Sequence, residues 1–207
     1  MSRILNDYPA VSLKNENLAG KINFADIFGR SAPVHIEIGS GKATFLVSEA
    51  KTKPCDDFLG IEWCSRIYRY AVDRVGRQGL TNVRIIRDDA ATFIKHYVAD
   101  SCVDCFHLYF PDPWPKKAHH KRRFISANNL EEMLRCLKTG GTIRVATDHA
   151  EYFEHITQVM ADARLRDVEF FPASGAESGK GEWAGTNFER KYLKEGRTIH
   201  TGAWVKL

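Results

Sequence analysis

Short apolar runs alternate with segments of helical periodicity along most of this chain, and that alternation leaves few folds open. "VHIEI" (Val34–Ile38) precedes a glycine turn and a helical stretch from about Lys42 to Lys51. "FLGIE" (Phe58–Glu62) precedes "SRIYRYAVDRVGRQG", where Ile67, Tyr70, Ala71 and Val75 fall at helical spacing and Gly79 supplies a stop. "VRIIR" (Val83–Arg87) precedes the short helix "AATFIKHYV", and "CVDCFHLYF" (Cys102–Phe110) reads as a buried strand. "NNLEEMLRCLKTGG" predicts a helix stopped by its two glycines, "TIRVAT" (Thr142–Thr147) a fifth strand, and "EYFEHITQVMADA" another helix. Strands that alternate with helices predict an α/β domain with a parallel sheet covered on both faces.

After about Arg166 the rhythm changes. "DVEFF" reads as a strand, "PASGAESGKGEWAGT" as a Gly/Ser-rich loop, mobile without a partner, and about Thr198 to Val205 as a closing strand. Two strands with no helix between them predict an antiparallel hairpin at the sheet edge. The first thirty residues are weakly patterned. They read as an N-terminal arm (1–30), which leaves one domain over 31–207.

The 207 residues are 43% hydrophobic, enough for a full core. The net charge of +4 is mild, so its distribution matters more than its size. Five cysteines, an odd count, argue against a disulfide scaffold. Cys102 and Cys105 form a C-x-x-C, but they sit in an apparent strand with no second pair, and so read as packed thiols rather than a zinc or redox site. No apolar run approaches the roughly 18 residues that cross a bilayer, and "MSRILNDYPA" has no apolar signal core. A cytoplasmic protein with no membrane partner is expected. No long apolar surface helix stands out, which favours a monomer over a homodimer.

The first strand ends in "EIGSGKA". Gly39 and Gly41, around Ser40, let backbone amides approach a ligand in front of a helix N-terminus. The dinucleotide fingerprint needs a sixth-position glycine, and Thr44 stands there. Glu37 would repel a phosphate but could accept from an amino group. Alone, the motif is either a cofactor loop or a tight turn. Glu62, 25 residues after Glu37, closes the next strand, where an acid can bind ribose hydroxyls or simply cap a helix. "DDA" brings Asp88 or Asp89 to the end of the third strand, where an acid could accept from an adenine amino group. Three acids after three successive strands point to the carboxyl edge, where open α/β sheets bind ligands.

The fourth strand runs into "YFPDPWPKKAHHKRRF". Pro111 and Pro113 stiffen the turn and hold Asp112 and Trp114 with little entropy left to lose. Lys116, Lys117, His119, His120, Lys121, Arg122 and Arg123 follow almost without a break. Cations beside aromatics at a ligand edge fit a phosphate clamp next to a stacked base. Adjacent His119 and His120 cannot share a helix face as metal ligands, and no metal site is expected.

These motifs together resemble the class I S-adenosylmethionine-dependent methyltransferases and, within them, the bacterial tRNA (guanine-N7)-methyltransferase family. "EIGSGK", "GIE", "DDA", "FPDPWPKK", "HHKRRF", "ATDH" and "TNFE" carry the resemblance, the proline-rich block most distinctively. It implies a Rossmann-like, seven-stranded, mostly parallel sheet with the last strand antiparallel. It implies S-adenosylmethionine as methyl donor, S-adenosylhomocysteine as product, and guanine 46 in the variable loop of tRNA as acceptor. Cofactor contacts would be Glu37, Gly39, Ser40, Gly41, Glu62, Asp89, Ala90 and Asp112, with Asp112 also the active-site acid. Lys116, Asp148, Thr186, Asn187, Phe188 and Glu189 match substrate positions. Ala118, His119, His120, Lys121, Arg122 and Arg123 match the RNA loop. Ala43 and Asn187 stand where the family often has glycine and lysine. Two alternatives remain open: a class I enzyme acting on an exocyclic amino group, and a non-catalytic RNA-binding domain of the same fold. The incomplete glycine fingerprint disfavours a nicotinamide enzyme.

Overall fold

The computed structural model describes residues 4–207. The chain forms two compact units, the first ending at Ala99 and the second running from Asp100 to Leu207.

The first unit contains β1 (Ser12–Leu13), α1 (Phe24–Phe28), β2 (Val34–Ile38), α2 (Thr44–Thr52), β3 (Asp57–Ile61), α3 (Ser65–Arg77), β4 (Val83–Ile86) and α4 (Ala90–Tyr97). Its strands lie in the order β1-β4-β3-β2, each parallel to its neighbour. Ile38 is level with Ile61, and Ile61 with Ile86, so three strands end together at one carboxyl edge. Ile36, Phe58, Leu59, Ile85 and Ile86 are fully buried, as are Leu46 of α2 and Phe93 of α4. Strands covered on both faces read as near-continuous apolar runs, which is why this part was visible in the sequence. Gly60 explains how α2 packs so closely. A Cβ there would meet Leu46 Cδ1 at 2.6 Å, Ser40 Oγ at 2.8 Å and Ile85 Cδ1 at 2.9 Å.

The first three residues of the expected arm lie outside the described residues. Part of the arm is packed: Val11, Ile22 and Phe24 are buried, and Ser12 and Leu13 pair with Ile85 and Ile86, while Ile4 is largely exposed. This short β1 takes the strand count among the described residues to eight, against the seven expected. Backbone pairing forms it, so it leaves almost no periodic signal.

The second unit contains β5 (Val103–Tyr109), α5 (Ala127–Cys136), β6 (Leu137–Thr147), α6 (Ala150–Met160), β7 (Leu165–Val168), α7 (Asn187–Lys194) and β8 (His200–Lys206). Its strands lie in the order β5-β6-β8-β7. β5 and β6 are parallel, and β8 is antiparallel to both β6 and β7. The last strand is therefore the antiparallel one, as expected.

Three details differ from the sequence reading. The helix before β6 stops at Cys136, and Gly140 and Gly141 lie within β6. There, residues 138–141 stand between the pairs Val103–Leu137 and Cys105–Thr142, opposite Asp104 alone, and Gly140 takes φ 80° at this bulge. The strand expected at "DVEFF" starts earlier and ends at Val168, while Phe170 turns inward against Trp183. α7 also stands between the two strands expected to join directly. None of the five cysteines is in a disulfide, and Cys105 and Cys136 are buried.

Candidate active site

In the first unit the glycine turn after β2 is built from left-handed residues: Gly39 at φ 71°, Gly41 at 54° and Ala43 at 54°. The N–H groups of Gly39 and Ser40 both donate to Ile61 O, at 2.9 and 3.0 Å. The N–H of Gly41 donates to Glu62 Oε2 at 2.9 Å, and that of Cys64 to Glu62 Oε1 at 2.8 Å. Glu62 thus ties the turn after β2 to the turn after β3. Ala43 is fully buried in a conformation that favours glycine by about 1–2 kcal/mol, so its methyl is held against the turn at some strain.

Glu37 and Ser40 are the electrostatic core of this edge. Both are buried, and neither Glu37 Oε2 nor Ser40 Oγ has a hydrogen-bond partner among the described residues. Burial first, and the Glu62 charge second, push the Glu37 carboxyl well above the usual carboxylate range. Buried polar atoms are nearly always satisfied, so two orphans beside a glycine turn fit a ligand that brings its own donors. An amino group is the natural partner for Glu37, and it would return the proton count to that of a charged carboxylate. At the end of β4, Asp89 caps α4 by accepting from Thr92 N–H at 2.9 Å, and Ala90 opens the helix. Asp88 is bound instead to the N-terminal segment, accepting from Asn15 Nδ2 at 2.8 Å. Trp63, next to Glu62, is largely exposed.

In the second unit β5 leads into the proline turn. Phe110 and Trp114 both have positive φ, 55° and 44°. The exposed Asp112 sits between them, flanked by Pro111 and Pro113. A tight 3-10 segment, Lys117–Arg122, follows. Lys116, Lys117, Ala118, Lys121 and Arg122 are exposed, and His119 and His120 are half-buried. Arg122 stacks over Trp114 at 4.9 Å, and His119 meets the same ring edge-on at 5.9 Å. Arg123 points the other way and is buried.

β6 delivers Asp148, whose Oδ2 accepts from Arg197 at 2.6 Å. Arg197 lies over Tyr192 at 4.4 Å, and Tyr192 continues a row of rings from Phe110 (5.6 Å) to the exposed Phe188 (6.1 Å). Burial, then Asp148, raises the Tyr192 hydroxyl pKa, and Asp112 adds to it. Thr186 and Glu189 form the start of α7. Thr186 Oγ1 accepts from Glu189 N–H at 3.1 Å. The fully buried Glu189 carboxylate accepts from the N–H groups of Trp183 (2.6 Å), Ala184 (3.0 Å) and Gly185 (2.7 Å). Arg190 adds bonds to Glu182 and to Gly175 O, each at 3.0 Å. The glycine-rich loop is therefore fastened to α7 from within, while Asn187 and Phe188 face outward.

The Methyltransf_4 family model, described as "Putative methyltransferase", matches residues 31–201. A tRNA (guanine-N(7)-)-methyltransferase of Alkalilimnicola ehrlichii is 35% identical over 93% of this chain and 80% of its own length. One of Nitrosomonas eutropha is 37% identical over 89% and 81%. The chain belongs to the tRNA (guanine-N7)-methyltransferase family. The family likeness is partial in extent for some members. The match to the Idiomarina loihiensis protein of the same name, 37% identical, covers 75% of this chain but 62% of that protein. Solved structures agree on the fold. A SAM-dependent methyltransferase of Aquifex aeolicus superposes with TM-score 0.58 at 14% identity over 89% of this chain and 88% of its own. The aminoglycoside resistance methyltransferase NpmB1 superposes with TM-score 0.59 at 15% identity over 89% and 92%. The fold is thus the Rossmann-like methyltransferase fold. No helix among the described residues is long and apolar enough to cross a membrane.

The motif reading missed Asn15, Tyr192 and Arg197, which complete the two edges. Tyr192 and Arg197 lay in a segment with no recognised element, although T-x-x-E at Thr186–Glu189 is a helix-start signature that would have revealed it.

Proposed function

We propose that this chain methylates N7 of guanine 46 in the variable loop of tRNA, working in the cytoplasm with S-adenosylmethionine as donor. The observation that carries the reading is the Asp112 turn: an exposed carboxylate between two prolines and two strained residues, followed at once by exposed cations.

In the first unit, Glu37 and Ser40 would hold the amino-acid end of the donor through their unsatisfied oxygens. Glu62 would bind the ribose hydroxyls, and Asp89 with Ala90 the adenine. When bound, the donor supplies a methyl group on a sulfonium, which the guanine N7 lone pair takes as the carbon–sulfur bond breaks and S-adenosylhomocysteine forms. N7 of a neutral guanine carries no proton, so no general base is needed. Catalysis then rests on positioning and on fixed charge. Asp112 accepts from the guanine edge and stabilises the positive charge that the base acquires. Phe188 and Trp114 offer ring faces to bases, and Lys116, Lys117, Lys121 and Arg122 meet phosphates.

The test is methyl transfer to unmodified bacterial tRNA, followed by digestion and mass spectrometry of the nucleosides. The reading expects 7-methylguanosine, and a rate for Asp112→Asn reduced on the order of a hundredfold. A different methylated nucleoside would redirect the reading to an amino-group acceptor. Binding of tRNA without any methylation would redirect it to a non-catalytic RNA-binding domain.

A further inference from the structure

Arg123 closes the basic run in sequence but is separated from its neighbours in space. Its side chain is 1% exposed. Nε donates to Pro113 O at 2.8 Å, and the two terminal nitrogens donate to the two carboxylate oxygens of Glu151 at 3.0 and 2.6 Å. The guanidinium also lies over the Tyr152 ring at 4.8 Å. Each of its three nitrogens is therefore engaged within the protein, and a cation so enclosed has no face left for a phosphate.

Its partners give the arrangement a purpose. Pro113 lacks an N–H, so its carbonyl is its one backbone hydrogen-bonding group. That carbonyl belongs to the peptide directly after Asp112–Pro113 and directly before Trp114, which is held at φ 44°. Residues in such conformations persist only where the surroundings over-determine them. Arg123 supplies that constraint, and Glu151 and Tyr152 on α6 keep Arg123 itself in place. A planar fork can bond the carbonyl and the carboxylate together, which a lysine ammonium cannot reproduce.

We infer that Arg123 is a positioning residue: it clamps the Pro113 carbonyl to Glu151 of α6 and so fixes the Asp112 turn, and it does not contact RNA. The inference rests on the proposed reaction and assigns a role within it. Arg122, one residue earlier, stacks on Trp114 at the surface and is the last RNA-facing cation of the run.

The experiment measures 7-methylguanosine formation by the full chain against tRNA concentration at saturating S-adenosylmethionine, together with tRNA binding against salt. Arg123→Lys should lower kcat by on the order of ten- to a hundredfold, with KM for tRNA and the salt slope of binding unchanged. Glu151→Gln should lower kcat in the same direction by less. The double variant should be no worse than Arg123→Lys alone, because both act through one strut. A raised KM, a shallower salt slope and an unchanged kcat for Arg123→Lys would overturn the inference. Should Arg123→Lys fail to fold, Glu151→Gln decides, since its side chain is half exposed; wild-type kcat there overturns the inference as well. A wild-type protein that forms no 7-methylguanosine removes the proposed activity itself, and this role with it.

Discussion

The N–H of Gly41 donates to Glu62 Oε2 at 2.9 Å, so the acid that closes β3 holds the glycine turn that follows β2. The same carboxylate also accepts from Cys64 N–H. Replacing it by an amide, Glu62→Gln, leaves one of these N–H groups facing a donor. The loss should be about 1–3 kcal/mol, roughly a ten- to hundredfold drop in S-adenosylmethionine affinity. Isothermal titration calorimetry reads it directly, and wild-type affinity would remove Glu62 from the cofactor set.

Glu37 sets a pH dependence whose direction is fixed by its burial. Its folded-state pKa is raised well above the ordinary value of 4.5, first by desolvation and then by Glu62. A carboxyl of this kind binds its proton more tightly in the folded state. Its contribution to stability is complete below the ordinary value and is lost as pH rises toward the raised one. Ligand-free Glu37→Gln has no proton to lose, so its melting temperature should fall less than that of wild type between about pH 5 and 8. Parallel curves for the two proteins would contradict the shift. Binding of a ligand ammonium should also expel a proton from wild type, visible as a binding enthalpy that depends on the ionisation heat of the buffer.

Glu189 should govern the order of the glycine-rich loop. Its carboxylate gathers three successive backbone N–H groups, from Trp183 to Gly185. Glu189→Ala leaves them without that acceptor, at a cost of about 1–3 kcal/mol. Amide hydrogen exchange at Trp183, Ala184 and Gly185 should accelerate by roughly ten- to a hundredfold while β2–β4 stay protected. Uniform acceleration across the chain would mean that the contact supports global stability instead.

The basic segment should make tRNA binding steeply salt-dependent. Lys116, Lys117, Lys121 and Arg122 are exposed, whereas Arg123 is buried. With about four cations on phosphates, log K should fall against log salt with a slope of roughly −3 to −4. Lys121→Ala should make the slope shallower by about one unit or slightly less. A wild-type slope near zero would contradict the clamp.

The part of the fold from Val34 to Met160 was readable because parallel strands buried on both faces are plain apolar runs. β1 was not, since two residues that pair through backbone carry no period. α7 escaped because its helical face is mostly charged and its one large apolar side chain at the start, Phe188, points to solvent. The glycine pair before Thr142 looked like a helix stop and is a bulge in β6; the residue type signals an unusual backbone without saying which kind. At the candidate site Glu37 near the end of β2 and the acids that follow β3 and β4 were legible from their positions at strand ends. The division of labour between Arg122 and Arg123 was not. Two identical neighbours face opposite ways, and only the packing of Tyr152 and Glu151 tells them apart.

β8 lies between β6 and β7, although both of those strands precede it in the chain. A ribosome therefore releases the two outer partners before the strand that joins them. Until His200 to Lys206 emerges, β6 has no neighbour on its β8 side and β7 has nothing to pair with in this unit. During that interval the nascent chain carries open strand edges, the kind of surface that recruits other chains. Chaperone dependence during synthesis should then track delay at the codons for this last strand, a vulnerability in time that the finished fold no longer displays.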